Sequence, residues 1–295
     1  MDPSQLATTL DAVLGASLDR PVRIQDVDAQ QPFWQWSMLA QALAPVLLAQ
    51  QSRVVAITGS QGSGKSTLAK ILVQQLNDLG LAAVCVSLDD FYLSRQDRVE
   101  LGRRVHPLLV TRGVPGTHDS QLMGQVLKQM SSSTGSVKLQ LPQFDKGLDD
   151  RVADIEATAE LLVIEGWCLG VQPQPAALLE QPVNELERSE DTHGIWRRWS
   201  NEQIQQNYLP LWSLIDDWVL LQPPEFAQVL QWRRQQELAL PSAQRMNETQ
   251  LQRFIQHYQR LTQWQWQRPI VASGIGVALT PEHGIAHIRA LTKNR

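Results

Sequence analysis

Long apolar runs are missing from this chain of 295 residues. No stretch approaches the roughly 20 residues that a membrane-spanning helix requires, so such a helix is not expected. Cysteine is scarce: Cys85 and Cys168 are the only two, and each lies in or beside an apolar, strand-like run. Two such thiols make no disulfide framework and suit a cytoplasmic protein that keeps them reduced. The opening MDPSQLATTL lacks the basic segment and long apolar core of a secretory signal, which is therefore not expected. An excess of basic charge is missing as well. Lys and Arg total 26 against 30 Asp and Glu, a net charge of −4. That balance leaves no electrostatic footprint for nucleic acid or an anionic membrane. Internal repeats and a domain linker are also lacking. What is present is an ordinary globular composition, 43% hydrophobic and 19% charged, with ten tryptophans and abundant glutamine. The glutamines are interleaved with periodic Leu, Val and Ile, as the polar faces of helices.

The most informative stretch is VVAITGSQGSGKSTL, residues 54–68. A β-branched apolar run ends in Gly59, four residues intervene, and Gly64-Lys65-Ser66 open an amphipathic segment. This is G-x-x-x-x-G-K-[ST] in its strand–loop–helix context, a phosphate-binding loop. Gly59, Gly62 and Gly64 lack Cβ atoms, so backbone N–H groups can converge on phosphate oxygens. The loop through Ser60, Gln61 and Ser63 to Thr67 is thus expected to wrap the phosphates of ATP, aided by the helix dipole. Lys65 is expected to reach the β- and γ-phosphates, and the Ser66 hydroxyl to ligate Mg²⁺.

Spacing of 3.6 residues predicts two helices within residues 1–50, parted near Pro32, the second weakened toward its end by Pro45. A strand over 53–58, a helix over 65–79 closed by Gly80 and a strand over 82–88 follow. Next come a helix over 120–130, a short strand ending in Asp145-Lys146, and the buried strand LLVI leading into Glu165. A helix over 196–212, a strand over 217–221, and helices over 224–239 and 246–263 are then expected. GIGVALT is read as a last strand, and Thr280-Pro281-Glu282 as the start of a last helix. Strands alternating with helices specify an α/β P-loop NTPase fold, a doubly wound, mainly parallel sheet with flanking helices. Residues 1–50 are read as an N-terminal helical extension and 51–295 as a P-loop kinase domain.

The kinase reading comes from what accompanies the loop. A guanine-reading Asn/Thr-Lys-x-Asp element is missing; Thr292-Lys293-Asn294-Arg295 lacks the Asp. Asp191-Thr192-His193-Gly194 spells D-x-x-G, but no apolar strand leads into it. Two carboxylates, Asp89 and Glu165, instead stand at or just beyond the ends of apolar strands, where open α/β sheets place their ligands. Phosphoryl transfer to an alcohol needs a carboxylate to orient and deprotonate the hydroxyl, and Mg²⁺ against the phosphates. Asp89 is assigned as base and Glu165 to the metal side, directly or through water. The alternative pairing makes Asp90 the base and Asp89 a helix cap.

LDDFYL, RGVPGTHD, LPQFDK, VIEGWCLG and QWRRQQE follow GSQGSGKS in this order. In these blocks the chain resembles the D-glycerate 3-kinases of plant and fungal type, within the phosphoribulokinase, uridine kinase and pantothenate kinase group. The resemblance covers about residues 54–240; residues 1–50, 94–105 and the Gln-rich tail match less well. It implies ATP and Mg²⁺ as cofactors and a small three-carbon hydroxy acid, D-glycerate, as acceptor, giving 3-phosphoglycerate. Such a ligand needs cations and donors near the base. Asp90, Tyr92, Arg112, His118, Lys146 and Arg151 are the substrate-side candidates, with Arg112 able to take a carboxylate bidentately. His118 serves equally as an ordinary loop hydrogen bond, Asp119 as a helix N-cap, and Trp167 as packing. Independently, Arg233 is seven residues from Phe226 and shares the apolar helix face with Val229 and Leu230, which suits a lid arginine over the phosphates. An Arg233–Glu237 pair along the helix is the plain alternative, and Arg234 is the second choice for the lid role. The competing functions are a kinase of the same group acting on pantothenate, a nucleoside or a sugar phosphate, and a non-catalytic nucleotide-binding regulator.

Overall fold

A computed structural model of the chain describes residues 1–291 other than 16, 17, 19, 20, 26, 243, 244 and 269–272. The tail 292–295, weighed above as a guanine reader, lies outside the described residues. Helix α1 (Pro3–Leu14) starts on a capping box between Asp2 and Gln5, with Pro3 at its first position. It buries Leu6, Leu10 and Leu14 at four-residue spacing. Helix α2 (Trp34–Gln50) is apolar nearly all round and continues five residues past Pro45. A proline inside a helix costs about 3 kcal/mol, an amount that burying nine side chains of α2 offsets.

The central sheet begins with β1 (Val54–Gly59), which leads through the glycine-rich loop into α3 (Lys65–Asp78), and continues with β2 (Ala83–Ser87). Helices α4 (Arg95–Arg104) and α5 (Ser120–Ser131) lead to a separate two-stranded ribbon, β3 (Val137–Asp145) paired antiparallel with β4 (Asp150–Ala159). The chain then returns as β5 (Leu161–Gly166). Helices α6 (Glu185–Glu190), α7 (Ile195–Gln203) and α8 (Leu209–Trp212) precede β6 (Asp217–Gln222). One π-helical turn, Ile204–Tyr208, joins α7 to α8, so the segment expected as one helix is continuous but locally widened. Helices α9 (Phe226–Leu238) and α10 (Glu248–Gln267) and strands β7 (Gly274–Leu279) and β8 (Ile285–Leu291) complete the fold.

The six-stranded order is β2-β5-β1-β6-β7-β8, parallel throughout except for β8. Strands β1 and β5 are buried along their whole length, as continuous apolar runs in a parallel sheet should be. Alternate residues serve opposite faces: Val55, Ile57, Leu161 and Val163 meet α1, α2 and α3, whereas Val54, Ala56, Leu162 and Ile164 meet α5 and the tryptophan-rich layer of α7, α8 and α10. Among the described residues no helix is long and apolar enough to cross a membrane.

The helix expected from Thr280 is instead strand β8. Residues 280–284 make a hairpin turn, with Thr280 N–H donating to the Gly284 carbonyl at 2.7 Å and His283 in the left-handed region at φ 65°. The pairing register shifts between Ala278 and Leu279, which puts Ile285 and Ile288 on the same face despite their three-residue spacing. A bulge thus gives this strand a helix-like apolar period. Residues 150–159 were not read as a strand because β4 is exposed along most of its length and pairs on one side only.

Helix α10 is anchored by charge. The Arg260 guanidinium, 5% exposed, meets the fully buried Glu187 carboxylate of α6 at 2.6 Å and donates to the carbonyls of Leu178 and Gln181. Removing one partner of such a pair strands the other charge in a dry interior. Arg260→Ala is therefore expected to lower stability by about 3–5 kcal/mol, read as a fall in the urea unfolding midpoint.

Candidate active site

The register of the sheet brings the site together. Ile57 of β1 and Ser87 of β2 both lie opposite Glu165 of β5, so the phosphate-binding loop, the Ser87–Phe91 turn and Glu165 emerge at one edge. A cavity of about 700 Å³ opens there, lined by Gln61, Gly62, Gly64, Lys65, Ser66, Thr67, Asp89, Tyr92, Arg112, Lys146, Glu165 and Arg233. Twelve of the residues singled out from the sequence thus face one space. Gly59, Ser60 and Ser63 form the back of the loop and do not line it.

Within the loop, Gly62 and Gly64 take φ of 77° and 90°, backbone that other residues adopt only under strain. The Lys65 ammonium donates to the Ser60 carbonyl at 2.9 Å. Burial lowers its pKa, and the nearby carboxylates of Glu165 and Asp89 pull it back up. Ser66 Oγ donates to Glu165 Oε1 at 2.9 Å, and Glu165 is only 7% exposed. A hydroxyl and a single carboxylate are what Mg²⁺ takes from a protein when phosphate oxygens and water complete its shell. The buried hydroxyls of Ser60 and Ser63, behind the loop, and the Gln61 side-chain oxygen have no protein partner.

Opposite the loop stands Asp89. Its neighbour Asp90 is spent on structure: one carboxylate oxygen accepts from Ser87 N–H at 3.0 Å and the other from Phe144 N–H at 3.3 Å. Asp90 does not line the cavity, unlike the other substrate-side candidates Tyr92, Arg112 and Lys146; it locks the turn that presents Asp89. Burial pushes the Asp89 carboxyl up, but Lys146 Nζ at 2.7 Å outweighs this and holds it below the usual carboxylate value. Lys146 projects from the tip of the β3–β4 ribbon. The same tip carries Asp149, which pairs with Arg112 and, at 2.9 Å, with the deeply buried Arg98 of α4. Arg98 also donates to the carbonyls of Leu93, Val110 and Asp149, so it braces the ribbon against the turn. Arg112 lies over the Phe144 ring, 5.4 Å from its centroid.

Two further candidates do not line the cavity. His118 lies beneath the cavity wall, 4% exposed, stacked on Tyr92 at 4.5 Å with Nδ1 2.8 Å from the Tyr208 hydroxyl. Arg151 is outside the cavity and pairs with Asp119 at 3.4 Å and Asp154 at 3.9 Å; Asp119 also caps α5 by accepting from Leu122 N–H. Arg233 has neighbours of two kinds. It pairs with Glu237 along α9 yet lines the cavity, its Nε buried without a partner. Arg234 points away, toward Glu248. Trp167 donates to Thr262 Oγ1 at 2.8 Å.

The cavity also has walls that the sequence left unassigned: residues 32–36, Phe254 and Tyr258 of α10, and Glu282, His283 and Gly284. The aromatic pair at four-residue spacing on α10 was visible as helix periodicity, but not as a wall. The turn at 282–284 was hidden by the mistaken helix.

A buried neutral imidazole has a pH signature. Burial lowers the pKa of His118 to about 4 and also depresses that of His257. Below an ordinary value near 6.5 the unfolded chain binds protons that the folded one refuses, so stability falls with pH. Urea midpoints are expected to drop as pH falls from about 6.5 toward 4, with His118 contributing on the order of 3 kcal/mol, and His118→Gln to flatten that slope.

Comparison with known proteins gives the following likenesses. Residues 54–184 match the model of the Phosphoribulokinase / Uridine kinase family. A Schizosaccharomyces pombe protein described as uncharacterized kinase mug58 is 32% identical over 219 residues, covering 70% of this chain and 78% of that one. The chloroplastic D-glycerate 3-kinase of Arabidopsis thaliana is 29% identical over 200 residues, covering 63% of this chain and 41% of the plant protein. The D-glycerate 3-kinase structure from Cryptococcus neoformans superposes with a TM-score of 0.70 at 27% identity, covering 85% of this chain and 99% of the fungal one.

Proposed function

The chain belongs to the phosphoribulokinase / uridine kinase family, and within it we propose that this protein transfers the γ-phosphoryl group of ATP to a hydroxyl of D-glycerate, giving 3-phosphoglycerate. The observation that carries the reading is the Asp89–Lys146 pair, set in the same cavity as the P-loop, with Arg112 beside it. A small hydroxy acid carries a carboxylate that must meet fixed cations once it leaves water. Arg112 is held by Asp149 and the Lys146 carbonyl, so its fork is fixed in place while further N–H groups remain free to bind. Likeness to two proteins named as D-glycerate 3-kinases supports the same acceptor.

In this reading Asp89 orients the acceptor hydroxyl and takes its proton. The hydroxyl oxygen bonds to the γ-phosphorus as the bond to the β–γ bridging oxygen breaks, and ADP leaves. The transition state of phosphoryl transfer is loose, so a carboxylate kept ionised by Lys146 serves by position more than by base strength. Lys65 offsets phosphate charge, and Arg233, on α9 at the cavity wall, acts on the transferring group. Mg²⁺ held by Ser66 and Glu165 would neutralise charge on the β- and γ-oxygens. Both thiols are unpaired, and burial raises the pKa of each, that of Cys85 to about 12; inert reduced thiols support a cytoplasmic location.

A coupled ADP-release assay over D-glycerate, L-glycerate, pantothenate, uridine and ribulose 5-phosphate tests the acceptor. D-glycerate is expected to be turned over best; a better nucleoside or pantothenate substrate would leave the kinase family standing and remove glycerate. Asp89→Asn is expected to lower kcat by roughly 10²–10⁴ with little change in ATP binding.

Arg112→Ala is expected to raise KM for glycerate by the equivalent of about 1.5–3 kcal/mol while KM for ATP stays nearly constant. Arg112→Lys should recover part of that loss, since an ammonium cannot reproduce the fork.

A further inference from the structure

The cavity extends beyond Asp89 and the P-loop to a region that the reaction above does not use. There it is walled by Phe33, Trp34 and Trp36 at the start of α2 and by His283 in the β7–β8 turn. Both segments are fastened to the phosphate-binding loop. The Trp36 indole packs against Gly64, where a Cβ would lie 3.2 Å from its ring, and His283 Nε2 donates to the Gly62 carbonyl at 2.8 Å. Gln35 ties the two walls together by accepting from Ile285 N–H.

Phe33 is the anomaly. It holds left-handed backbone at φ 61°, unfavourable for a residue with a bulky side chain, and it makes no side-chain cap for the helix that it begins. The residue is 58% exposed, so packing does little to offset the strain. A strained, solvent-facing aromatic at the rim of a binding cavity is explained when a ligand covers it. The reaction geometry names the ligand. With the γ-phosphate toward Asp89 and the phosphate chain along residues 62–67, the nucleoside lies away from Asp89, and the aromatics that line the cavity beside the loop are the exposed Phe33 and the half-buried Trp34. We propose that Phe33 and Trp34 are the stacking platform for the purine base of ATP, so that the N-terminal helical segment is part of the nucleotide site. This rests on the ATP reading given above but not on the identity of the acceptor.

The test is calorimetric titration of the full chain, wild type and variants, with ATP and with inorganic tripolyphosphate. Stacking on an aromatic side chain is worth roughly tenfold in affinity. Phe33→Ala is expected to weaken ATP about tenfold and to leave tripolyphosphate unchanged. Phe33→Asn is expected to show the same selective loss with no fall in Tm, because asparagine tolerates left-handed backbone. Unaltered ATP affinity in Phe33→Ala, or an equal loss for both ligands, overturns the platform. Wild-type protein that binds neither ligand overturns the nucleotide reading itself, and this proposal with it.

Discussion

Strands β2, β5 and β1 lie in parallel register with Ser87, Glu165 and Ile57 abreast, and the candidate site depends on that alignment. A slip of one residue would exchange every side chain between the two faces of the sheet and carry Glu165 out of reach of Ser66. The register is enforced from both sides: Val54, Ala56, Leu162 and Ile164 pack into one core while Val55, Ile57, Leu161 and Val163 pack into the other. Stability and chemistry therefore share one constraint. The apolar residues that exclude water from the two layers also bring a lysine, a hydroxyl and two carboxylates to one edge.

A second group of residues holds the cations of the site in place. Buried Arg98, with three carbonyl partners and Asp149, fixes the end of the β3–β4 ribbon. Asp149 holds Arg112 in turn, and Asp90 ties the Asp89 turn to Phe144 on the same ribbon. The ribbon is largely exposed on β4, yet its tip carries Lys146 into contact with Asp89. Desolvated charges tend to be satisfied this way, by several partners at once, because a single unmet group in a dry environment is costly.

The sheet was legible because its strands are short, continuous apolar runs, and the P-loop because glycine spacing and a following amphipathic helix rarely coincide otherwise. Lys65, Ser66, Asp89 and Glu165 could be placed in one space because strand ends in such folds converge. Asp89 and Asp90 could not be told apart because adjacent carboxylates look alike in sequence; only backbone amides arriving from Ser87 and from distant Phe144 separate their environments. The places of His118 and Arg151 were not legible for a related reason, since a loop residue near a site can face inward, outward or beneath it. The β8 bulge shifted the apolar spacing to three and imitated a helix, which concealed His283. Arg98 sat in a charged stretch that offered no sign of burial.

Gln35 donates to the Met1 carbonyl on one side and accepts from the Ile285 amide on the other, and so joins segments far apart along the chain. The glycine-rich loop can leave the ribosome and fold its first turn early, yet the enclosure around it is finished only when β8 arrives to pair with β7. Until then the apolar face of α1 has no β8 to pack against. A growing chain of this kind carries its phosphate-binding loop without the completed wall until the β7–β8 hairpin has been made, and that hairpin closes the compartment.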